Sequence, residues 1–358
     1  MSTDFSTDPY SAYEAKSIAQ QIAFSPFVFQ ATLAARNLGL LEVLEKSENE
    51  GLCAAEISRR TGVSVYGVKV LLGMALSSRI VRLIEDRYAL TKIGFYVLHD
   101  AMTRVNFNFA NDVCYEALAE LETSVVSGKP EGLKALGDWP TIYPGLSELP
   151  EPARTSWFEF DHYYSAQAFP EAYALVMQCR PKVLMDLGGN TGKWARLCVE
   201  KNREISVLVV DLPEQIALLG KHMEGHPDSQ RVTGVGLDML APGACLPTFS
   251  DVIWMSQFLD CFSEDQIGEI LNKCSNALST QGRLFILETF WDKQEHETGA
   301  LSVNAISLYF TAVANGYSRM YHSSDFKVLL GAAGFEIVRE TNSLGVGHTL
   351  FECVKRVG

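Results

Sequence analysis

Apolar positions recur along the chain with a helical period first and a strand period later. From Tyr13 to Leu44 the spacing is helical, through Ile18, Ile22, Phe27, Val28, Leu33, Leu38, Leu41 and Leu44. Ser25-Pro26 interrupts it, which predicts two helices meeting there. Phe24, Phe27 and Phe29 surround a full turn, more than one buried face can use, and predict contact with a second subunit. From Leu52 to Leu98 the pattern is a short helix ending at Gly62, a second helix capped by Ser64 and a hairpin of Ile80–Ile84 with Tyr88–Leu90. This is a helix-turn-helix with a wing. Arg59, Arg60 and Lys69 would lie near a DNA groove, but the second helix offers few base-reading side chains, so a structural role is the better reading.

Residues 106–177 read mainly as helices, broken by Gly128-Lys129-Pro130, Trp139-Pro140, Tyr143-Pro144-Gly145 and Pro150-Glu151-Pro152. Within them lies a dense aromatic run, Trp157 to Tyr164. Phe158 and His162 in this run are candidates to line a pocket for a planar substrate, against the alternative of core packing. From Pro181 the period changes. Strands alternate with helices: Val183–Leu187, Ser206–Val210, a strand within Arg231–Met239, Ser250–Met255, Leu284–Glu288, and a closing antiparallel pair of Phe335–Arg339 with Thr349–Val354. The expected fold is α/β, with a C-terminal Rossmann-like doubly wound domain over residues 181–358. Residues 1–102 form a mainly α winged-helix domain, and residues 103–180 a helical linker that lines the substrate region.

The stretch from Lys182 to Asp211 organises the second half. An apolar strand breaks into Gly188-Gly189-Asn190-Thr191-Gly192, a helix follows, and a second strand closes on Asp211. An acid in that place, about twenty residues beyond the turn, is where nucleotide-binding doubly wound folds hold a ribose. A dinucleotide would need G-x-G-x-x-G, and neither Gly188 nor Gly189 begins one. The pattern D-x-G-G-N-x-G from Asp186 to Gly192 instead resembles the first motif of class I S-adenosylmethionine (SAM) dependent methyltransferases.

Composition narrows the partners. The 358 residues are 47% apolar and carry a net charge of −13, which argues for a globular protein and against nucleic acid or an anionic membrane as main partner. Eight cysteines are scattered with no C-x-x-C pair, as in a reducing, cytoplasmic setting, and no His, Asp or Glu set has metal-ligand spacing. A signal peptide and a membrane span are not expected from the N-terminal composition or the apolar run lengths.

With these pieces in order, the chain resembles the small-molecule O-methyltransferases of the plant phenolic, acetylserotonin and bacterial polyketide type. The motifs are Leu38-Gly39-Leu40-Leu41, Ala55-Glu56-Ile57, Leu90-Thr91-Lys92-Ile93-Gly94, the glycine turn, Asp211-Leu212-Pro213, Asp238-Met239 and Ala332-Ala333-Gly334-Phe335. The resemblance implies a homodimer joined through the winged-helix region, SAM as cofactor and a small acceptor. It implies that Gly188, Gly189, Asn190 and Gly192 pass under the methionine part of SAM, that Asp211 and Leu212 hold the ribose end, and that Asp238 and Met239 flank the adenine. Ser256 and Gln257 fall at a polar pair near the cofactor.

The chain departs from the family at the catalytic strand end. Family members carry Leu-His-Asp-Trp there, with the histidine as base, whereas this chain reads Leu259-Asp260-Cys261-Phe262. Asp260 thus stands in the catalytic position, and Glu288 matches the acid that supports the family's histidine. An ordinary carboxylate, with pKa about 4, is a weak base toward a phenol near 10 unless burial raises it. His322 is a further catalytic candidate. The expected activity is O-methylation of a small aromatic hydroxyl compound. The alternatives are methylation at carbon or nitrogen, non-methylating SAM chemistry, and a winged-helix DNA-binding regulator.

Overall fold

The computed structural model describes residues 5–47, 50–248 and 250–356. They form two compact units, one up to Ala110 and one from Asn111 onward. Residues 111–180 therefore fold with the sheet that follows them.

The first unit opens with α1 (Ala12–Asn37), started by a capping box in which the Ser11 amide donates to Glu14 Oε2 at 2.9 Å and the Glu14 amide to Ser11 Oγ at 3.3 Å. The expected break at Ser25-Pro26 is absent, and α1 runs through Pro26. A proline leaves the carbonyl four residues earlier without its N–H donor. Here the Ser25 hydroxyl donates to that carbonyl, Ile22 O, at 2.8 Å. The chain breaks instead at Gly39, whose φ of 75° is a left-handed conformation.

Five short helices and a hairpin complete the unit: α2 (Leu40–Glu45), α3 (Ala54–Thr61), α4 (Val65–Ser77), β1 (Val81–Ile84), β2 (Arg87–Leu90), α5 (Lys92–His99) and α6 (Ala101–Phe109). Ser64 Oγ accepts the Gly67 amide at 3.1 Å and starts α4, and Gly62 ends α3 with φ 77°, both as the sequence predicts. Leu40, Leu41, Leu44, Ile57, Val68 and Leu72 make the core. Of the three N-terminal phenylalanines, Phe29 stacks on Phe107 within this unit at 5.1 Å, so it is not free for a partner as the sequence suggested. Phe24 and Phe27 remain 54% and 64% exposed.

The second unit places α7 (Leu121–Ser127) and the long α8 (Ala153–Val176) before a seven-stranded sheet. Its strands are β3 (Val183–Leu187), β4 (Ser206–Asp211), β5 (Val232–Gly236), β6 (Ser250–Ser256), β7 (Leu278–Glu288), β8 (Phe335–Leu344) and β9 (His348–Lys355). The order is β5-β4-β3-β6-β7-β9-β8, with β3 to β7 parallel and β9 antiparallel to both neighbours. Helices α9 (Lys193–Lys201), α10 (Pro213–Met223) and α11 (Glu264–Ala277) lie between successive strands, and α12 (Glu297–Tyr309) and α13 (Ser323–Ala332) both lie between β7 and β8.

Two features position the site. Strand order runs outward from β3 in one direction and from β6 in the other, so a crevice opens beyond their carboxyl ends, the usual ligand position in such sheets. Phe169 of α8 packs edge-on against Trp194 and Trp254, themselves stacked at 3.9 Å, which anchors α8 to α9 and β6. No helix among the described residues is long and apolar enough to cross a membrane.

Candidate active site

The glycine loop sits at the end of β3. Gly188 (φ 71°) and Gly192 (φ 81°) supply left-handed turns, and a Cβ on Gly188 would lie 2.2 Å from the Phe258 ring. Between them Asn190 also adopts φ 48°, unusual for a residue with a side chain. Its amide donates to Asp211 Oδ2 at 2.8 Å, and the Leu212 amide donates to Asp211 Oδ1 at 2.7 Å. Asp211 is thereby aimed back over the loop, with acceptor capacity left on both oxygens. Burial raises its pKa, and the two amides pull against that rise. Pro213 opens α10 directly behind Leu212.

The neighbouring strand end is equally unusual. Gln257, just past β6, has φ 48°, and its amide donates to the Leu287 carbonyl at 2.9 Å. Ser256 Oγ, Gln257 Oε1, Asn190 Oδ1 and Asp186 Oδ2 are all buried without a hydrogen-bond partner among the described residues. Four such atoms around one crevice are what a polar nucleoside and amino acid would satisfy, and the residues present fit SAM. Asp238 and Met239 lie beyond β5. Asp238 is exposed, its Oδ1 accepting the Leu240 amide at 2.8 Å, and Met239 is 5% exposed among the core residues Met185, Leu187 and Val210.

Glu288 ends β7 at 1% exposure. Its Oε1 accepts the amides of Phe258 and Leu259 at 3.0 and 2.9 Å, while Oε2 is buried and unpartnered. Those two bonds hold the turn that carries Asp260, itself 6% exposed. Burial first, then the Asp260 charge, push Glu288 well above the usual range, while burial and the charge of Asp161 lift Asp260 to about 7 against hydrogen bonds from Cys261 and Glu288. The pair therefore keeps one proton near neutrality.

Around Asp260 the fold gathers groups that sequence reading did not single out. The Cys261 thiol donates to Asp260 Oδ1 at 3.5 Å. Asn315, 1% exposed, donates from Nδ2 to the Tyr143 hydroxyl at 3.1 Å and to the Cys261 carbonyl at 2.9 Å. Trp157 Nε1 donates to the buried Tyr309 hydroxyl at 2.7 Å. Tyr143 and Asn315 are 172 residues apart, and no local pattern pairs them.

On α8, Phe158 lies edge-on to Trp157, and His162 Nε2 is 3.4 Å from Thr191 Oγ1 in the glycine loop. Burial first, then Lys193 and His222, pull the His162 pKa down to about 4, so it is neutral. His322 has different neighbours: Nδ1 accepts the Ser324 amide at 3.1 Å as the N-cap of α13, its ring lies edge-on to Trp291, and Nε2 is 3.7 Å from Asp292 Oδ2.

Fold and crevice together define a Rossmann-like nucleoside-binding enzyme. The model of the O-methyltransferase domain matches residues 171–336, and that of the Dimerisation2-like domain matches residues 16–88. The L-tyrosine C(3)-methyltransferase of Streptomyces lavendulae is 24% identical over 88% of this chain and 85% of its own length. Acetylserotonin O-methyltransferase of Bos taurus is 24% identical over 91% and 94%. The crystal structure of the S-adenosylmethionine-dependent methyltransferase SibL superposes with a TM-score of 0.74 at 21% identity, over 95% of this chain and 99% of that one, a likeness of fold. Residues 171–336 are thus an O-methyltransferase domain and residues 16–88 a Dimerisation2-like domain, the pairing found in class I SAM-dependent O-methyltransferases. The chain is a SAM-dependent methyltransferase.

Proposed function

We propose that this enzyme methylates a hydroxyl of a small aromatic acceptor, working as a homodimer, with Asp260 and Glu288 managing the acceptor's proton. Bound at the glycine loop, SAM supplies a methyl group activated on a sulfonium. Gly188, Gly189, Asn190 and Gly192 form its cradle, Asp211 and Leu212 take the ribose end, Asp238 and Met239 border the base, and Ser256 and Gln257 face the crevice. Phe158 and His162 line the acceptor side.

The observation that carries the reading is the buried carboxyl pair beside unpartnered polar atoms. Burial narrows the gap between Asp260 and a phenol near 10 from about 6 pH units to about 3, which makes it a workable base. Glu288 fixes the Asp260 turn through the Phe258 and Leu259 amides and holds the shared proton. The Trp157–Tyr309 contact and the Asn315 hub give the surrounding wall its shape and help exclude water. Incubation of purified protein with methyl-labelled SAM and a panel of phenols, catechols and hydroxybenzoates should give a product heavier by one methylene. A protein that binds no SAM, or binds it and methylates none of these acceptors, would defeat the proposal.

A second reading has its own support, the aspartate in the place of the family's histidine. Methylation of a ring carbon beside a phenol also begins with loss of the phenolic proton, but must then remove a ring proton, a task for a carboxylate base; the first-mentioned relative is named for such an activity. A ring-deuterated phenol separates the two. O-methylation leaves every ring deuterium in place, and C-methylation releases one to solvent.

A further inference from the structure

Helix α8 reaches the glycine loop through Asp161 and His162, and only the second of these was marked by the sequence. Asn190 Nδ2 donates to Asp161 Oδ2 at 3.4 Å, and the Asp161 carboxylate is 28% exposed. The other end of the same amide, Oδ1, is buried with no partner. Asp186 lies beneath the loop at 2% exposure, its Oδ2 likewise unpartnered and 2.6 Å from where a Cβ on Gly189 would stand. Acceptors thus outnumber donors here.

The nearby charges point the same way. His162 is neutral and does not balance Asp161. Lys193, exposed at the start of α9, favours the ionised carboxylate, while burial and Asp211 oppose it and lift Asp161 to about 6. Asp211 accepts the Asn190 and Leu212 amides, one on each oxygen. Lys193 reaches Asp161 through its charge only; among the described residues Asn190 Nδ2 is the one hydrogen-bond donor to this carboxylate, and a ligand ammonium group supplies three more. An anionic carboxylate would be repelled from this region.

We propose that Asp161 is a cofactor-positioning residue that receives the α-ammonium of the SAM methionine chain, with Asn190 holding α8 and the loop together around it. This rests on the glycine loop being the SAM site. Asn190 then joins both ends of the cofactor: its backbone orders the ribose carboxylate and its side chain orders the ammonium carboxylate.

The test compares binding of S-adenosylhomocysteine with an analogue in which hydrogen replaces its amino group, by calorimetry on the full chain. Wild-type protein should bind the analogue at least ten-fold more weakly. In Asp161→Asn the two ligands should bind within about two-fold of each other, because the lost interaction was the one being compared. Asn190→Gly, which keeps the left-handed backbone and removes the amide, should lose part of the discrimination and stands in if Asp161→Asn does not fold. Full discrimination retained in either variant overturns the role of Asp161, as does a wild-type protein that binds both ligands equally. A wild-type protein that binds neither ligand removes the cofactor reading and this inference with it.

Discussion

Asp260 and Glu288 show how far burial changes what a residue type can do. In water neither would be a base for a phenol; burial lifts Asp260 to about 7 and holds Glu288 well above the usual carboxylate range. Asp260→Asn should lower kcat by about 100-fold or more while leaving S-adenosylhomocysteine affinity unchanged, since general-base contributions are typically about 100- to 10,000-fold. Wild-type turnover should fall as pH drops through about 7, where Asp260 takes its proton. Glu288 holds its proton while Asp260 ionises and lowers the Asp260 pKa through a side-chain hydrogen bond; Glu288→Gln offers a weaker donor in its place, so the Asp260 pKa rises and the acid limb of the rate profile moves to higher pH. An acid limb that does not move would show that the two carboxyls act independently. His348 on β9 offers a separate test at this scale. It is 0% exposed, and burial pulls its pKa from 6.5 down to about 4 against a backbone hydrogen bond with Leu344. The unfolded chain takes up this proton below about 6.5 and the folded chain only below about 4, so stability is full above 6.5 and declines through that window. The difference is on the order of 3 kcal/mol. His348→Leu should flatten the change in urea midpoint between pH 7 and pH 5, and an unchanged slope would refute this account.

Among the elements, α1 and α13 make the same point about local backbone accounting. The Ser25 hydroxyl replaces the donor that Pro26 lacks, so a sequence that reads as a helix break is a continuous helix. His322 is a histidine near the end of the sheet, yet its Nδ1 is engaged by the Ser324 amide and hydroxyl at the start of α13. His322→Ala should therefore cost about 1 kcal/mol of stability, the usual worth of a cap, with kcat within two-fold of wild type. Thermal melts alongside turnover decide it: a loss of kcat beyond ten-fold without a loss of stability would return His322 to the reaction. The helix boundaries of the winged region were readable because Ser64 and Gly62 act through bonds within three or four residues. The Asp161–Asn190 and Tyr143–Asn315 contacts were not readable, because they join residues whose spacing carries no period.

For the molecule as a whole, the exposed apolar side chains of α1 bear on assembly. Ile22, Phe24 and Phe27 are 69%, 54% and 64% exposed, and the domain they belong to matches a dimerisation-type model. Leaving such a cluster in water is unfavourable, at roughly 25 cal/mol per Å2 of apolar surface. Phe24→Glu with Phe27→Glu should shift sedimentation from dimer to monomer while the core around Leu41, Ile57 and Leu72 stays folded. A wild-type protein that sediments as a monomer would remove this interface from the proposal.

The order of residues alone was enough for the alternation of strands and helices after Pro181, the winged region, the glycine loop and the acid closing β4. Each of these is written in short-range periodicity, in capping residues or in turn glycines, which act on the backbone beside them. Three-dimensional packing decided the rest. It brought Glu288 under the Asp260 turn, carried α8 to the loop so that Asp161 meets Asn190, and turned Phe29 inward onto Phe107. The reason is physical: a proton affinity or a contact depends on what lies around a group in space, and burial by distant segments supplies both.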